Sequence, residues 1–250
     1  MNNKPISQYL SILNHRTVFV LVISVLSTYL CYRYNFNFNL DLTLISIAII
    51  FPLVFTIRGS FRRREKALEH LSEFRSTLKT LRYFLLSNDE MPADGKDEFL
   101  NVLSEISGAL MKHLGDNAST TKELDATVDK IYQFIIDKNA LISKGLREKI
   151  FRYLKDLHES IENLNAIHAH RTPISLKAYC KVFIYIFPVI YTPSIINNIG
   201  PETHQSVAYF IVILTEFILI SLYNIQNQLE YPFDDKGLDD IKLDIFRMDR

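Results

Sequence analysis

Residues 47–66 read IAIIFPLVFTIRGSFRRREK, an apolar run that ends abruptly in arginines. Within it a bulky apolar side chain recurs every fourth residue, at Ile47, Phe51 and Phe55. Positions four apart lie along one face of an α-helix, so the pattern predicts a helix with one continuous bulky apolar face. The uncharged part, residues 42–57, would rise roughly 24 Å, close to the thickness of a hydrocarbon core. We therefore predict a membrane-spanning helix.

Three further runs have the same character: residues 17–32, 182–199 and 207–223 contain no Lys, Arg or Asp, and Glu216 is their only acid. They are apolar on all sides, whereas a helix at the edge of a soluble core usually keeps a polar stripe. The alternative is four buried core helices of a soluble protein. A signal peptide is disfavoured for the first run because no small-residue cleavage site follows it. The sequence thus predicts an all-α membrane protein with four spans.

Basic residues predict the orientation of the spans. The short links 35–41 and 200–206 carry no Lys or Arg. Arg33 is the one basic residue next to these links, on the predicted outer side of the membrane. The other flanks are rich in basic residues: Arg58, Arg62, Arg63, Arg64 and Lys66 follow the second span, and Arg171, Lys177 and Lys181 precede the third. Because Lys and Arg concentrate in cytoplasmic loops, we expect both termini and the long middle segment in the cytoplasm.

The remaining composition excludes several classes of function. The formal net charge is zero, so no overall field favours nucleic acid as a partner. Cys31 and Cys180 both lie at ends of spans, which indicates neither a disulfide framework nor a thiolate metal site. No Ser/His/Asp set, Gly-rich phosphate loop or pair of catalytic acids stands out, so we expect no enzyme activity.

The middle segment shows helical periodicity almost throughout. Leu68, Leu71, Phe74, Leu78, Leu81 and Leu85 share one face, which predicts that the second span continues directly into this segment. Further helices are expected over about 96–114, from a cap at Ser119 or Thr120 to about Asp137, and over 147–169. No run alternates with the period of a strand. The predicted domains are 1–58 with the first two spans, a cytosolic helical domain 59–175, the last two spans in 176–223, and a cytosolic tail 224–250.

Two short motifs flank the last pair of spans. HRTPISLKAY precedes the third span and LYNIQNQLEYPFDDKGLDDIKLD follows the end of the fourth. Together with the two-and-two arrangement of spans, they resemble the bacterial branch of the bestrophin family, in which segments similar to RTPIPLAY and IENPFGxDxNDLPLD stand at these places. The first pattern is matched by Arg171, Thr172, Pro173, Ile174, Leu176 and Tyr179. The second is matched by Glu230, Pro232 and Phe233 and, after one extra residue, by Asp240, Ile241, Leu243 and Asp244.

The chain also departs from the family pattern. Tyr231 stands in place of an asparagine and Asp234 in place of a glycine, and the extra residue disturbs the acidic cluster that holds calcium in animal members. After the second span the family pattern FRxNxxYxRWWE is only partly kept. Phe55 and Arg63 match it, Phe61 stands at the tyrosine, and both tryptophans are missing. The chain therefore resembles a divergent member.

The resemblance implies a homopentameric ion channel in the bacterial inner membrane, in contact with lipid and conducting monovalent ions. Bestrophins have a neck of three apolar rings; matching Phe55 to the neck phenylalanine assigns the other two rings to Phe51 and Ile47. The family's second, cytosolic constriction falls near Leu146. Anions, chloride above all, are the expected ions. The alternatives are a cation-selective channel, a non-conducting scaffold whose cytosolic helices bind a partner, and, for the neck residues, lipid contact or helix packing.

Two other groups of residues are candidate sites. Glu216 is the ionisable residue inside a span, and such groups usually face a bundle interior or a wet cavity. It would bind a cation or titrate, or would be neutral and hydrogen-bonded to Tyr191 or Ser221. The acidic tail has weak candidates for a calcium site in Asp235, Asp239 and Asp240, but its spacing is not that of an EF-hand. A helix cap or a salt-bridged surface competes with calcium, and we expect no cofactor.

Overall fold

The protein is described by a computed structural model over residues 13–116, 121–200 and 204–248. In these ranges the chain forms seven α-helices and two short 3-10 helices, and no strand. The α-helices are α1 His15–Arg33, α2 Thr43–Leu86, α3 Ala93–Gly115, α4 Thr121–Asp137, α5 Lys144–Ala169, α6 Ile174–Ile199 and α7 Gln205–Leu229. The 3-10 helices are Asn139–Leu141 and Leu243–Phe246. The predicted all-α class is confirmed.

The chain divides into two compact units. The membrane unit comprises Met1–Arg62 and Thr172–Glu230, and the helical unit comprises Arg63–Arg171 and Tyr231–Arg250. In the described residues, four helices are long and apolar enough to cross a membrane: α1, the first part of α2, α6 and α7. Each of the four predicted spans thus forms such a helix. The domain boundaries drawn from the sequence stay a prediction, and residues 1–12 of the first predicted domain lie outside the described ranges.

In the membrane unit, α1 packs against α6 and α7. Asn14 caps α1 by accepting hydrogen bonds from the Arg16 and Thr17 N–H groups, and the Thr17 hydroxyl accepts one from the Asn14 N–H in return. Such a reciprocal capping box satisfies N–H groups that a helix start leaves open. The Asn14 side chain also donates to the Asn224 side chain (3.0 Å), which in turn donates to the Thr17 hydroxyl (3.0 Å). These bonds join the start of α1 to α7.

Pro52 lies inside α2 and is accommodated by a tertiary hydrogen bond. Proline has no N–H, so the carbonyl four residues earlier, that of Ala48, loses its helical partner. The Tyr179 hydroxyl of α6 donates to this carbonyl at 3.1 Å. In α6 the helix likewise continues through Pro188 and Pro193. Neighbouring groups can satisfy a backbone freed by proline in a membrane helix, and Tyr179 does so for α2.

The helical unit has its own apolar core, which the helices and the tail build together. Its fully buried side chains recur at spacings of three and four residues, as the sequence predicts. Each such side chain contributes about 1.5–3 kcal/mol by leaving water. The core includes Leu71, Phe74, Leu78, Leu81 and Leu85 of α2, Phe99, Leu103, Ile106 and Leu110 of α3, Ile131 of α4, and Ile150, Leu157 and Leu164 of α5. Phe233, Ile241 and Met248 of the tail belong to the same core, which the sequence did not predict.

Helix bounds differ from the expected ones by a few residues. Helix α2 continues to Leu86. Helix α3 begins at Ala93 rather than near residue 96, because the turn between the two helices is confined to residues 87–92. The Ser143 side chain caps α5 by accepting from the Leu146 N–H, so α5 begins three residues before the expected 147. The predicted caps Ser119 and Thr120 lie outside the described residues.

Candidate functional site

The first part of α2 has two chemically similar but differently buried faces. Ile47, Phe51 and Phe55 are 44%, 54% and 60% exposed, respectively. The rings of Phe51 and Phe55 stack with their centroids 6.1 Å apart. On the opposite face, Ile49 and Leu53 are buried in the core of the membrane unit. Because the core is already filled by the second face, the first face is available for contact with lipid, with another subunit or with a pore.

A cleft of about 700 Å³ lies beside the N-terminal part of α2. Ile47 and Phe51 line one side of it, and Tyr191, Ile195 and Asn198 of α6 line the other. Two of the three predicted neck residues thus border one open space of mixed polarity.

Glu230, at the C-terminal end of α7, is the centre of a buried polar cluster. It is only 2% exposed. Its carboxylate accepts hydrogen bonds from the Thr172 N–H (3.0 Å), the Lys177 ammonium (2.6 Å) and the Gln226 amide (3.3 Å). A buried carboxylate needs such donors, and bonds between charged groups are the strongest of them. The cluster therefore ties the loop before α6, α6 itself and the end of α7 together.

The same cluster extends to α2. The Gln226 amide also lies 3.4 Å from the Ser60 hydroxyl, and both side chains are buried. Ser60 follows the neck candidate Phe55 on the same helix. The position of this end of α2 in the membrane unit is thus connected through Gln226 to Glu230.

The motif residues of the helical unit make a separate set of contacts. The Arg171 guanidinium lies 4.0 Å from the centroid of the Tyr231 ring, a cation–π contact. Pro232 and Phe233 are buried, and the Phe233 ring lies 6.3 Å from His168. Burial is the main cause that lowers the pKa of His168, and the nearby His113 and Arg171 act in the same direction.

Solved structures similar to this chain have been found, although no protein-family model matches the sequence and no curated protein does. A variant of the bacterial bestrophin homologue from Klebsiella pneumoniae is 15% identical, with a TM-score of 0.75 over 92% of this chain and 94% of that one. Another variant of that homologue gives a TM-score of 0.74 at 15% identity over 92% of both chains. A crystallised membrane protein variant gives 0.78 at 14% identity, over 92% of this chain and 93% of that one.

The chain has the bestrophin fold. The likeness extends over nearly the whole length of both chains, so it includes the apolar helices as well as the helical unit. At this low identity the likeness concerns the fold, and the prediction of a divergent bestrophin-like protein is confirmed at that level. These structural neighbours are a membrane protein and a bacterial bestrophin homologue.

Within the bestrophin fold, the two motifs recognised in the sequence contact each other. Thr172 and Glu230 meet in the membrane unit, and Arg171 and Tyr231 meet in the helical unit. Pro173 forms the N-terminal cap position of α6. Tyr231, a departure from the family pattern, supplies the aromatic face for Arg171, so the substitution has a structural use.

Glu216 is fully buried in α7. Neither of its carboxylate oxygens has a hydrogen-bond partner in the described part of the chain, and the Ser221 hydroxyl has none there either. The expected hydrogen bond to Tyr191 or Ser221 is therefore not formed. A buried polar group without a hydrogen-bond partner is costly, and no described residue offsets this cost for Glu216.

The acidic tail folds into a tight loop. The Ile241 N–H donates to the Pro232 carbonyl (2.8 Å) and closes it. Inside the loop the Gly237 N–H donates to Asp240 (2.6 Å), and the Lys236 N–H donates to Asp234 (3.2 Å). These carboxylates thus cap backbone groups of their own loop.

The other two calcium candidates have exposed side chains. Asp235 takes a left-handed backbone with φ of 56°, and Asp239 accepts a hydrogen bond from Arg64 through its backbone carbonyl. Across residues 13–116, 121–200 and 204–248, no three His, Cys, Asp or Glu side chains form a group that could hold a metal ion.

The surroundings of Asp240 in this loop are expected to make the stability of the fold depend on pH. Its burial, together with the neighbouring Asp234, raises its pKa from the ordinary 3.8 to about 6. A group whose pKa is raised by folding stabilises the fold fully below its unfolded pKa, and this contribution is lost as the pH rises through the folded pKa. Asp240→Asn, which still accepts from Gly237, is expected to flatten the fall in melting temperature between about pH 4 and 6. Circular dichroism of the detergent-solubilised protein measures this.

Asp239→Asn is the matched control, because the Asp239 side chain is exposed and folding does not bury it. It should keep the wild-type slope. A wild-type slope in Asp240→Asn as well would contradict the assignment.

Leu146 lies in the first turn of α5. Its side chain is partly buried and packs against the core of the helical unit. Its role as a second constriction stays a prediction.

Sequence reasoning missed the partners of Glu230. In the sequence Lys177 belongs to the basic flank of a span, and no pattern distinguishes Gln226 or Ser60. The signal that was available is polarity at the end of a span: a Glu, a Gln and a Lys close to the membrane boundary need one another when they are buried. The sequence does not say which of them pair.

Proposed function

We propose that this chain is the subunit of a bestrophin-like, homopentameric ion channel whose neck is lined by Ile47, Phe51 and Phe55 of α2. The observation that carries the proposal is the exposure of these three side chains on a helix whose other face is buried in its own unit. The bestrophin fold adds the family context. An apolar face of this kind needs a covering, and five copies arranged around an axis would turn it into three rings.

A neck of apolar rings can gate ions without any charged residue. Water leaves a narrow apolar constriction, and an ion cannot pass without its water. A small outward movement of α2 would wet the neck and allow conduction. Such a gate suits side chains that are large and uncharged, as at these three positions.

We further propose that the channel conducts chloride and other monovalent anions. A phenylalanine ring has a weakly positive edge, and rings that present this edge to the pore favour anions. The exposed Phe51 and Phe55 rings would act in this way.

The proposed location is the bacterial inner membrane, with both termini and the helical unit in the cytoplasm. The basic residues that flank the spans support this orientation through their preference for the cytoplasmic side. The exposed apolar residues of α1 and α7 would contact lipid. We propose no cofactor, because Asp234 and Asp240 of the tail cap their own loop. We propose no enzyme activity, because no set of catalytic residues stands out in the sequence.

The experiment is a reversal potential, measured across planar bilayers with purified protein and an asymmetric potassium chloride gradient. A reversal potential near the chloride equilibrium value is the expected result. A value near the potassium equilibrium would establish a cation-selective channel instead. No current from protein shown to be pentameric would favour a membrane scaffold whose helical unit binds a partner.

A further inference from the structure

Two arginines continue the neck face of α2. Arg58 follows Phe51 by seven positions and Arg62 follows Phe55 by seven. Seven residues make almost two full turns, so each arginine lies within about 20° of its phenylalanine when viewed down the helix. At 1.5 Å per residue, Arg58 is about 4.5 Å and Arg62 about 10 Å beyond Phe55 along the axis. Both arginines therefore follow the predicted neck immediately.

Both arginines are exposed, on the side of α2 that turns away from the core of the membrane unit. The opposite side of this turn carries Thr56 and Ser60, which are buried. Neither Arg58 nor Arg62 forms an ion pair with any residue in the described part of the chain, in contrast to Lys66, which pairs with Glu69. The helix has no acidic residue between Thr43 and Arg64. Neither positive charge is thus paired where it adjoins the neck, and the first acidic residue after them in the sequence is Glu65, three positions beyond Arg62.

We propose that Arg58 and Arg62 form an anion-binding collar at the end of the neck and set the preference of the channel for anions over cations. This inference rests on the proposed function, because it requires that the face with Phe51 and Phe55 lines the pore. The inference goes beyond the proposed function in two ways. It names the residues that select the ion, and it names the class of ligand, a small monovalent inorganic anion such as chloride.

The chemistry of the collar follows from the side chain. An arginine guanidinium stays charged at every physiological pH and binds anions through several N–H donors. In a symmetric oligomer each position becomes a ring of charges that all face one narrow space. Such a concentration of one sign raises the local concentration of counter-ions by a factor of ten or more and excludes ions of the same sign. Apolar rings alone supply no comparable distinction between the signs.

The same guanidinium groups would also bind the phosphate of lipid headgroups, and positive charges at this end of a span also orient the helix. These roles predict different consequences. Arg63, Arg64 and Lys66 keep the basic flank when Arg58 and Arg62 are replaced, so the topology should be retained. Lipid binding would make the current depend on the content of anionic lipid, while selection in the pore would change the ratio of ion permeabilities.

The test is the double variant Arg58→Gln and Arg62→Gln, reconstituted in planar bilayers of phosphatidylcholine with and without phosphatidylglycerol. We expect the chloride-to-potassium permeability ratio to fall about tenfold in both lipids. Arg58→Lys with Arg62→Lys should largely keep the wild-type ratio because the charge remains. Arg33→Gln, which removes an exposed arginine at the end of α1, should leave the ratio unchanged.

A second measurement varies the salt concentration. At about 1 M salt the screening length shrinks to about 3 Å, so the difference between wild type and the double Gln variant should be largely lost. If the wild type conducts anions and the double Gln variant has the same permeability ratio, the collar is wrong and the proposed function is unaffected. A change confined to the response to phosphatidylglycerol would overturn it in favour of lipid binding. A wild type without current, or one selective for cations, would overturn the proposed function or its anion preference, and the collar with it.

Discussion

Replacing Phe51 and Phe55 together by alanine is expected to raise the leak conductance of the closed channel roughly tenfold or more. The two rings are exposed and stacked on one face of α2, and their loss widens the proposed neck at two of its three levels. A wider apolar constriction holds water more readily, so its barrier to ions falls. A tenfold rise corresponds to a barrier lowered by about 1.4 kcal/mol. Single-channel recordings of purified protein in planar bilayers measure the change.

The matched control is Phe210→Ala. Phe210 is 65% exposed on α7, a similar exposure for the same side chain on a different membrane helix. If the exposed phenylalanines merely contact lipid, both variants should behave alike. Unchanged conductance in a Phe51/Phe55 variant that assembles normally would contradict the neck assignment and favour lipid contact or helix packing.

Glu230→Ala should lower the free energy of unfolding by about 3 kcal/mol, the largest loss we expect from one substitution in the membrane unit. The change leaves the Lys177 ammonium and the Thr172 N–H without their acceptor in a place from which water is largely excluded. Removing one member of a buried pair costs far more than removing both, because a lone charge remains. Unfolding in mixed micelles, followed by circular dichroism, measures the loss.

Two comparisons test the cause. Glu69→Ala breaks a pair with the same 2.6 Å separation, Lys66 to Glu69, but in an exposed place, and we expect no measurable loss. Glu230→Gln combined with Lys177→Met removes both charges and keeps an acceptor for Thr172, so most of the stability should return. If Glu230→Ala were as mild as Glu69→Ala, the cluster would not stabilise the fold.

The sequence predicted those parts of the structure that depend on local chemistry. The four apolar helices follow from uncharged runs of membrane length, and the core face of α2 follows from leucines and a phenylalanine spaced by three and four. The motif residues Thr172 and Glu230 were also recognised, through their likeness to a family pattern. Local composition was sufficient for the helices and their faces, whereas the motif residues required the family resemblance.

Contacts between distant residues were not predictable in the same way. Thr172 and Glu230 are 58 positions apart, and the Arg171 contact with Tyr231 depends on the same long connection. The tail was expected to be a separate segment, but Phe233, Ile241 and Met248 complete the core of the helical unit. A periodic pattern tells which face of a segment is buried and leaves open which segment covers it. For Glu216, an acid inside an apolar span indicated a place in the bundle interior, but the expected hydrogen bond to Tyr191 or Ser221 is not formed.

The hydrogen bond from Tyr179 to the Ala48 carbonyl has a consequence for protein engineering. Proline at position 52 and tyrosine at position 179 lie 127 positions apart, yet the tyrosine replaces the backbone donor that the proline removes. The two residues should therefore be exchanged together. A chimera that transplants α2 from this chain into a relative without a tyrosine at the matching place would carry an orphaned carbonyl into the bilayer. Tyr179 should be transplanted with it.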